Sequence, residues 1–154
     1  MKGQTMDLRA MLSELRDARE LAEQAAKNLR KEEREIDELR VASLTAIQEA
    51  KARAMPEAQS AHRLKEAMNR FVSPKYLSVA AGLLECARVA ANLEPIIERA
   101  DANSNGAQAT EAVKHLRDFA ENFATLRQLT KAAAKSNEEA LACLRQIRAA
   151  AALM

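Results

Sequence analysis

The side chains in this sequence that could do chemistry are few and far apart. Among 154 residues there are two histidines, two cysteines and one tyrosine. His62 stands in Ala61-His62-Arg63-Leu64-Lys65-Glu66-Ala67, three places before a lysine. His115 lies beside an apolar helical stripe with no second ligand near it. Cys86 and Cys143 sit inside apolar runs, and these four side chains lack the spacing of a zinc-ligand set. Two isolated thiols point to buried free cysteines and a reducing compartment. No Gly-rich phosphate loop and no nucleophile elbow occurs. Tyr76 is read as a residue at the end of a bundle. No catalytic, cofactor-binding or metal-binding residue is assigned on these grounds, and the chain is read as non-enzymatic.

Two local patterns carry resemblances. Asp101-x-Asn103-x-Asn105-Gly106 resembles the first half of the EF-hand calcium loop. The acidic side chain that loop needs at its twelfth position is absent, because Ala112 stands there and Glu111 comes one place early. Asn and Gly are also what a helix-to-helix turn selects, so this stretch is read as a turn. The stretch around His62 resembles the histidine phosphotransfer (HPt) domains of bacterial phosphorelays, in a span that could cover residues 39–135. That resemblance implies a four-helix bundle in which His62 carries the phosphoryl group and Lys65 neutralises it. Glu66 and Val72 stand where the family has glycine.

The elements that would position these residues are helices. Only three glycines and three prolines occur, and Ala, Leu, Glu, Arg and Lys dominate. That is the composition of long helices. No alternating strand pattern is present. From a cap at Thr5 or Asp7, one helix is predicted to run to about Arg53, ahead of Pro56. Its heptad places Leu8, Leu15, Ala22, Leu29 and Ile36 at one seam position, and Met11, Ala18, Ala25, Glu32 and Leu39 at the other. Beyond Leu39 the stripe is read as shifting phase to Val41, Leu44 and Ile47. A second helix follows from Glu57, and Ser73-Pro74 opens a third that runs to about Ala100. Within the third helix, Tyr76–Leu93 is apolar nearly all round. It is read as the central helix, with Leu83, Leu84 and Val89 buried. A fourth helix carries Ala112, Leu116, Phe119, Phe123 and Leu126 on one stripe. The Ser136…Glu139 capping box predicts a fifth.

The fold class expected is all-α: one domain over residues 1–154. It is an antiparallel bundle of four to five helices with a long N-terminal coiled-coil-like helix. Helix one, about 5–53, extends from a bundle of about 57–152. A straight helix of that length would span about 74 Å and overhang shorter neighbours. The seam Leu8, Met11, Leu15, Leu29, Ile36 and Leu39 is therefore expected to need cover from another protein or from a second copy in a homodimer.

The charge is balanced, with 24 basic and 22 acidic residues and a net of +2, and the signs are interspersed. No basic patch for nucleic acid is segregated in sequence. No apolar run is long enough to span a membrane, and the first residues do not form a signal peptide. The expected location is cytoplasmic, or exported without a cleavable signal. The expected function is protein–protein interaction by helical packing, as an adaptor, chaperone, inhibitor or assembly component. An HPt-like phosphorelay role for His62 is the alternative.

Overall fold

The computed structural model describes residues 7–53, 58–71, 76, 78–103 and 106–153. Among these the chain is an all-α bundle of four helices: α1 (Leu8–Arg53), α2 (Ala58–Phe71), α3 (Ser78–Asn103) and α4 (Gly106–Leu153). The candidate caps Thr5 and Ser73 and the prolines Pro56 and Pro74 lie outside the described residues. Two compact units are formed. Unit one comprises residues up to Lys27 together with Ser78–Thr130, and unit two comprises Asn28–Leu77 together with Lys131 onward. The N-terminal part of α1, all of α3 and the first part of α4 build unit one. The rest of α1, α2 and the rest of α4 build unit two.

α1 is long because nothing interrupts it: no glycine or proline occurs from Asp7 to Arg53. Asp7 is its cap, accepting hydrogen bonds from the amides of Arg9 and Ala10 at 3.1 and 3.4 Å. Those are two of the donors a helix start leaves without partners. Leu8, Leu15, Ala22, Leu29, Ile36, Ser43 and Ala50 are all buried, a seven-residue repeat kept along the whole helix. Of the stripe expected after Leu39, Ile47 is 1% exposed and Leu44 packs against the core, but Val41 is 64% exposed, and Ser43 keeps the heptad position in the core.

The predicted fifth helix is part of α4, which runs unbroken through Ser136 for 48 residues. A serine and two glutamates favour a helix start but cannot force one. Their cost inside a helix is a few tenths of a kcal/mol each, and no proline or glycine follows Gly106. Asn137 is also held in place, its amide donating to Glu32 at 2.9 Å. α4 is as long as α1, 48 against 46 residues, and contributes to the core beside α1 in each unit.

In unit one, Leu8, Leu15 and Ala18 pack with Cys86, Ala90, Leu93, Ile97 and Ala100 of α3 and with Ala112 and Phe119 of α4. Surface ion pairs report the direction of α3. Arg9 pairs with Asp101, Arg16 with Glu98 and Glu94, and Arg19 with Glu94. Numbers rise on one helix as they fall on the other, so α1 and α3 are antiparallel. α4 starts three residues after α3 ends and returns along it, with Leu126 against Gly82. In unit one α4 therefore runs parallel to α1.

In unit two, Ile36, Ile47, Ala61, Met68, Ala140, Leu144, Ile147 and Ala151 form the core. Here too α1 and α4 are parallel, since Glu32, Ser43 and Arg53 meet Asn137, Leu144 and Ala151 in rising order. Arg53 donates to the carbonyl of Ala151 at 3.3 Å. A cation there satisfies an orphan acceptor of the last turn of α4 and complements its negative end.

Candidate functional site

The predicted seam of α1 is covered by the chain itself. Leu8, Leu15, Leu29 and Ile36 are buried, and Met11 and Leu39 are half-buried against the cores of their units. The chain thus covers most of the seam, and Met11 and Leu15 also line a groove against α4. The seam's uncovered state was inferred from α4 being cut in two, and α4 is whole.

The central-helix reading is corrected as well. Leu83 is buried, but Leu84 and Val89 are each 37% exposed. The inner face of α3 is made by Val79, Leu83, Leu93 and Ile97 with Ala80, Ala87 and Ala90 between them, and Leu84 and Val89 lie off that face.

His62 lies on α2 and is exposed. Its Nε2 stands 3.2 Å from Glu66 Oε1, one turn on, and Lys65 is exposed beside it. A phosphoryl group on that nitrogen would meet the Glu66 carboxylate before any cation. His115 is also at the surface, 4.0 Å from Glu111. The Asp101–Gly106 stretch is not a loop at its ends. Asp101 and Asn103 belong to α3, Gly106 opens α4, and Asp101 is engaged with Arg9. Cys86 and Cys143 are free thiols, both pushed above the ordinary thiol range by burial. Raised thiols are poor nucleophiles at neutral pH.

The feature that the sequence did not reveal is a groove in unit one between α1 and α4. It encloses about 480 Å³. Its floor is apolar: Met11, Leu15 and Ala18 from α1 meet Val113, Leu116, Phe119 and Phe123 from α4. The two phenylalanine rings stack at 5.9 Å, and the Arg127 guanidinium lies over Phe123, also at 5.9 Å. Its rim carries Glu14 and Asp17 on the α1 side and Arg117 and Arg127 on the α4 side. Leu21 stands on the lip, 53% exposed. Bulky side chains such as phenylalanine keep helix axes apart, so the depression follows from residue size. The aromatic stripe on α4 was visible in sequence. Its position opposite α1 was not, because chain pairing and not local pattern decides it.

A second depression of about 390 Å³ lies between α3 and α4 and includes Cys86, His115 and Asp118. Among the described residues no group of three or more His, Cys, Asp or Glu side chains is placed to hold a metal ion. No described helix is long and apolar enough to cross a membrane.

No protein-family model matches this chain, and no curated protein or solved structure matches it.

Proposed function

We propose that this chain is a non-enzymatic protein-binding module, an adaptor, chaperone, inhibitor or assembly component, that engages its partner by helical packing in the α1/α4 groove of unit one. The observation that supports this is the pairing of an apolar, phenylalanine-floored groove with an exposed leucine on its lip. Covering a side chain such as Leu21 fully is worth roughly 1.5–3 kcal/mol, and a concave apolar surface with a polar rim is the usual anatomy of a docking site. The two free thiols, Cys86 buried and Cys143 half-buried, fit a protein working in the reducing cytoplasm. Of the α1 seam, Met11 and Leu15 line this groove, and Leu21 extends it at the lip.

The test is affinity capture from the source cell followed by mass spectrometry, with the wild type beside a Leu21→Glu/Ala124→Glu variant. Both substituted side chains are exposed, so the variant should fold as judged by circular dichroism and melting. A partner captured by the wild type and lost by the variant supports the reading. A partner retained equally by a folded variant overturns the groove as its site.

A further inference from the structure

We infer that the occupant of the α1/α4 groove is the same face of a second copy of this chain, the two copies related by a two-fold axis running along the helices. This rests on the protein-binding reading above and names the partner.

The two walls of the groove carry opposite charge. Glu14 and Asp17 line the α1 side, and Arg117 and Arg127 the α4 side. Glu14, Asp17 and Arg117 form no ion pair among the described residues. The arginines on the other edge of α1 do, with Arg16 and Arg19 held by Glu94 and Glu98. The groove therefore presents charge that its own chain leaves unmatched.

Direction then decides the symmetry. α1 and α4 are parallel in unit one. A two-fold axis parallel to both sets α1 of one copy against α4 of the other, and rotation about that axis leaves every residue at its own height. The acidic wall then faces a basic wall twice. A two-fold axis in the same face but perpendicular to the helices would set α1 against α1 and α4 against α4. Acid would meet acid and base would meet base, which is repulsive. Only the first operator matches the charges.

Shape agrees with charge. An isologous interface must carry both its knob and its hole on one surface. Leu21 projects from the acidic wall, 53% exposed, and the basic wall offers Ala120 and Ala124, two exposed small side chains. The operator that brings acid to base also brings the leucine of each copy onto the alanines of the other. The patch extends about 20 Å along the helices. That is at the low end for a specific interface, so the dimer should be weak, reversible and sensitive to salt.

The experiment is analytical ultracentrifugation of the full chain at low salt, from about 10 μM to about 1 mM, a range that covers a low-end interface. The wild type should form a reversible dimer. Glu14→Lys/Asp17→Lys makes both walls basic, and Arg117→Glu/Arg127→Glu makes both acidic. Each should weaken self-association by about tenfold or more, because each sets like charges face to face. Mixing the two variants, or combining all four substitutions in one chain, should restore it. A wild type that stays monomeric at the highest concentration overturns the inference. So does a reversal variant that associates as well as the wild type, or a mixture that fails to recover. A monomeric wild type whose captured partner is still lost on Leu21→Glu/Ala124→Glu assigns the groove to a different protein. A chain that neither associates nor loses its partner with that variant overturns both readings.

Discussion

α1 and α4 meet in both units, and they settle the contact in opposite ways. In unit one the facing residues are large. Leu15, Leu116, Phe119 and Phe123 cannot be brought flush, and a groove with charged walls remains. In unit two serine and alanines lie between the aliphatic side chains Ile36, Ile47, Leu144 and Ile147. Ser43 is fully buried, and its hydroxyl donates to the carbonyl of Leu144 at 3.2 Å. A side chain that short reaches the backbone of the next helix only where the two helices pack closely. Ala140 and Ala151 are buried in the same core. One pair of helices thus packs closely where serine and alanine lie between aliphatic side chains, and leaves a groove where two phenylalanines stack.

The comparison can be broken most directly by truncating one residue on each side of it. Leu144 is fully buried in the closed seam, so Leu144→Ala should destabilise by about 2–5 kcal/mol. Leu21 stands on the lip of the groove, so Leu21→Ala should change stability by no more than about 0.5 kcal/mol. Urea unfolding at protein concentrations too low for association measures both. Equal losses would mean that the groove is packed as tightly as the seam, and the contrast would be gone.

Ser43 sharpens it. If α4 lies close against this position, a larger side chain cannot enter without moving the helices. Ser43→Leu should then cost about 1–3 kcal/mol through overpacking. Ser43→Ala keeps the space and loses only one hydrogen bond, so it should cost about 1 kcal/mol. The Leu144 carbonyl is not left bare by that change, because it can still accept its own helical bond. A stabilising Ser43→Leu would show that the seam has room, and small residues would no longer explain its closure.

Ser43 also marks where sequence reasoning reached its limit. The heptad of α1 was legible from Leu8 to Ile36 because apolar residues hold its positions. At residue 43 a hydropathy pattern sees a serine and moves the stripe to Val41. The buried hydroxyl is tolerated only because a carbonyl on another helix accepts from it, and no local pattern contains that fact. α3 misled in the reverse way. Its apolar run marks a helix correctly, but alanines can fill a core face as well as leucines. Leu84 and Val89 could therefore be placed inside when they lie at the surface. α1 is described as far as Arg53, the bound the sequence suggested, and Pro56 lies outside the described residues. The unbroken α4 was not legible, because a capping pattern permits a helix start without requiring one. The groove depends on which residues of α1 and α4 stand opposite each other, and only the folded chain specifies that.

Gly82 offers a smaller test on the unit-one side. A methyl group there would approach Leu126 Cδ2 at 3.1 Å, which is close, but the contact is the end of a flexible and only half-buried side chain. Alanine in a helix interior is favoured over glycine by about 1 kcal/mol. Gly82→Ala should therefore raise stability by up to about 1 kcal/mol in thermal melts. A loss would show that the α3/α4 contact in unit one is as unyielding as the unit-two seam.

The smallest effect lies in unit two, at Glu33. Its carboxyl is held above the ordinary carboxylate range, first by burial. Arg30 opposes the shift, and the like charges Asp37 and Glu32 add to it. A carboxyl raised on folding binds its proton more tightly in the folded chain than in the unfolded one. Its contribution to stability is therefore fully present below the unfolded value, and it is lost as pH rises through the folded one. At neutral pH the ionised Glu33 opposes folding slightly, and Glu33→Gln removes that opposition. The side chain is half-buried and still reached by solvent, which screens the effect, so the variant should gain no more than about 0.5 kcal/mol near pH 7. Urea unfolding of wild type and variant at about pH 7 and about pH 4 measures this, because the lower pH lies near the ordinary titration of a glutamate. The advantage of Gln should shrink or vanish at the acid end. An advantage that grew on acidification would mean that the folded chain favours the charged form of Glu33, with Arg30 outweighing burial.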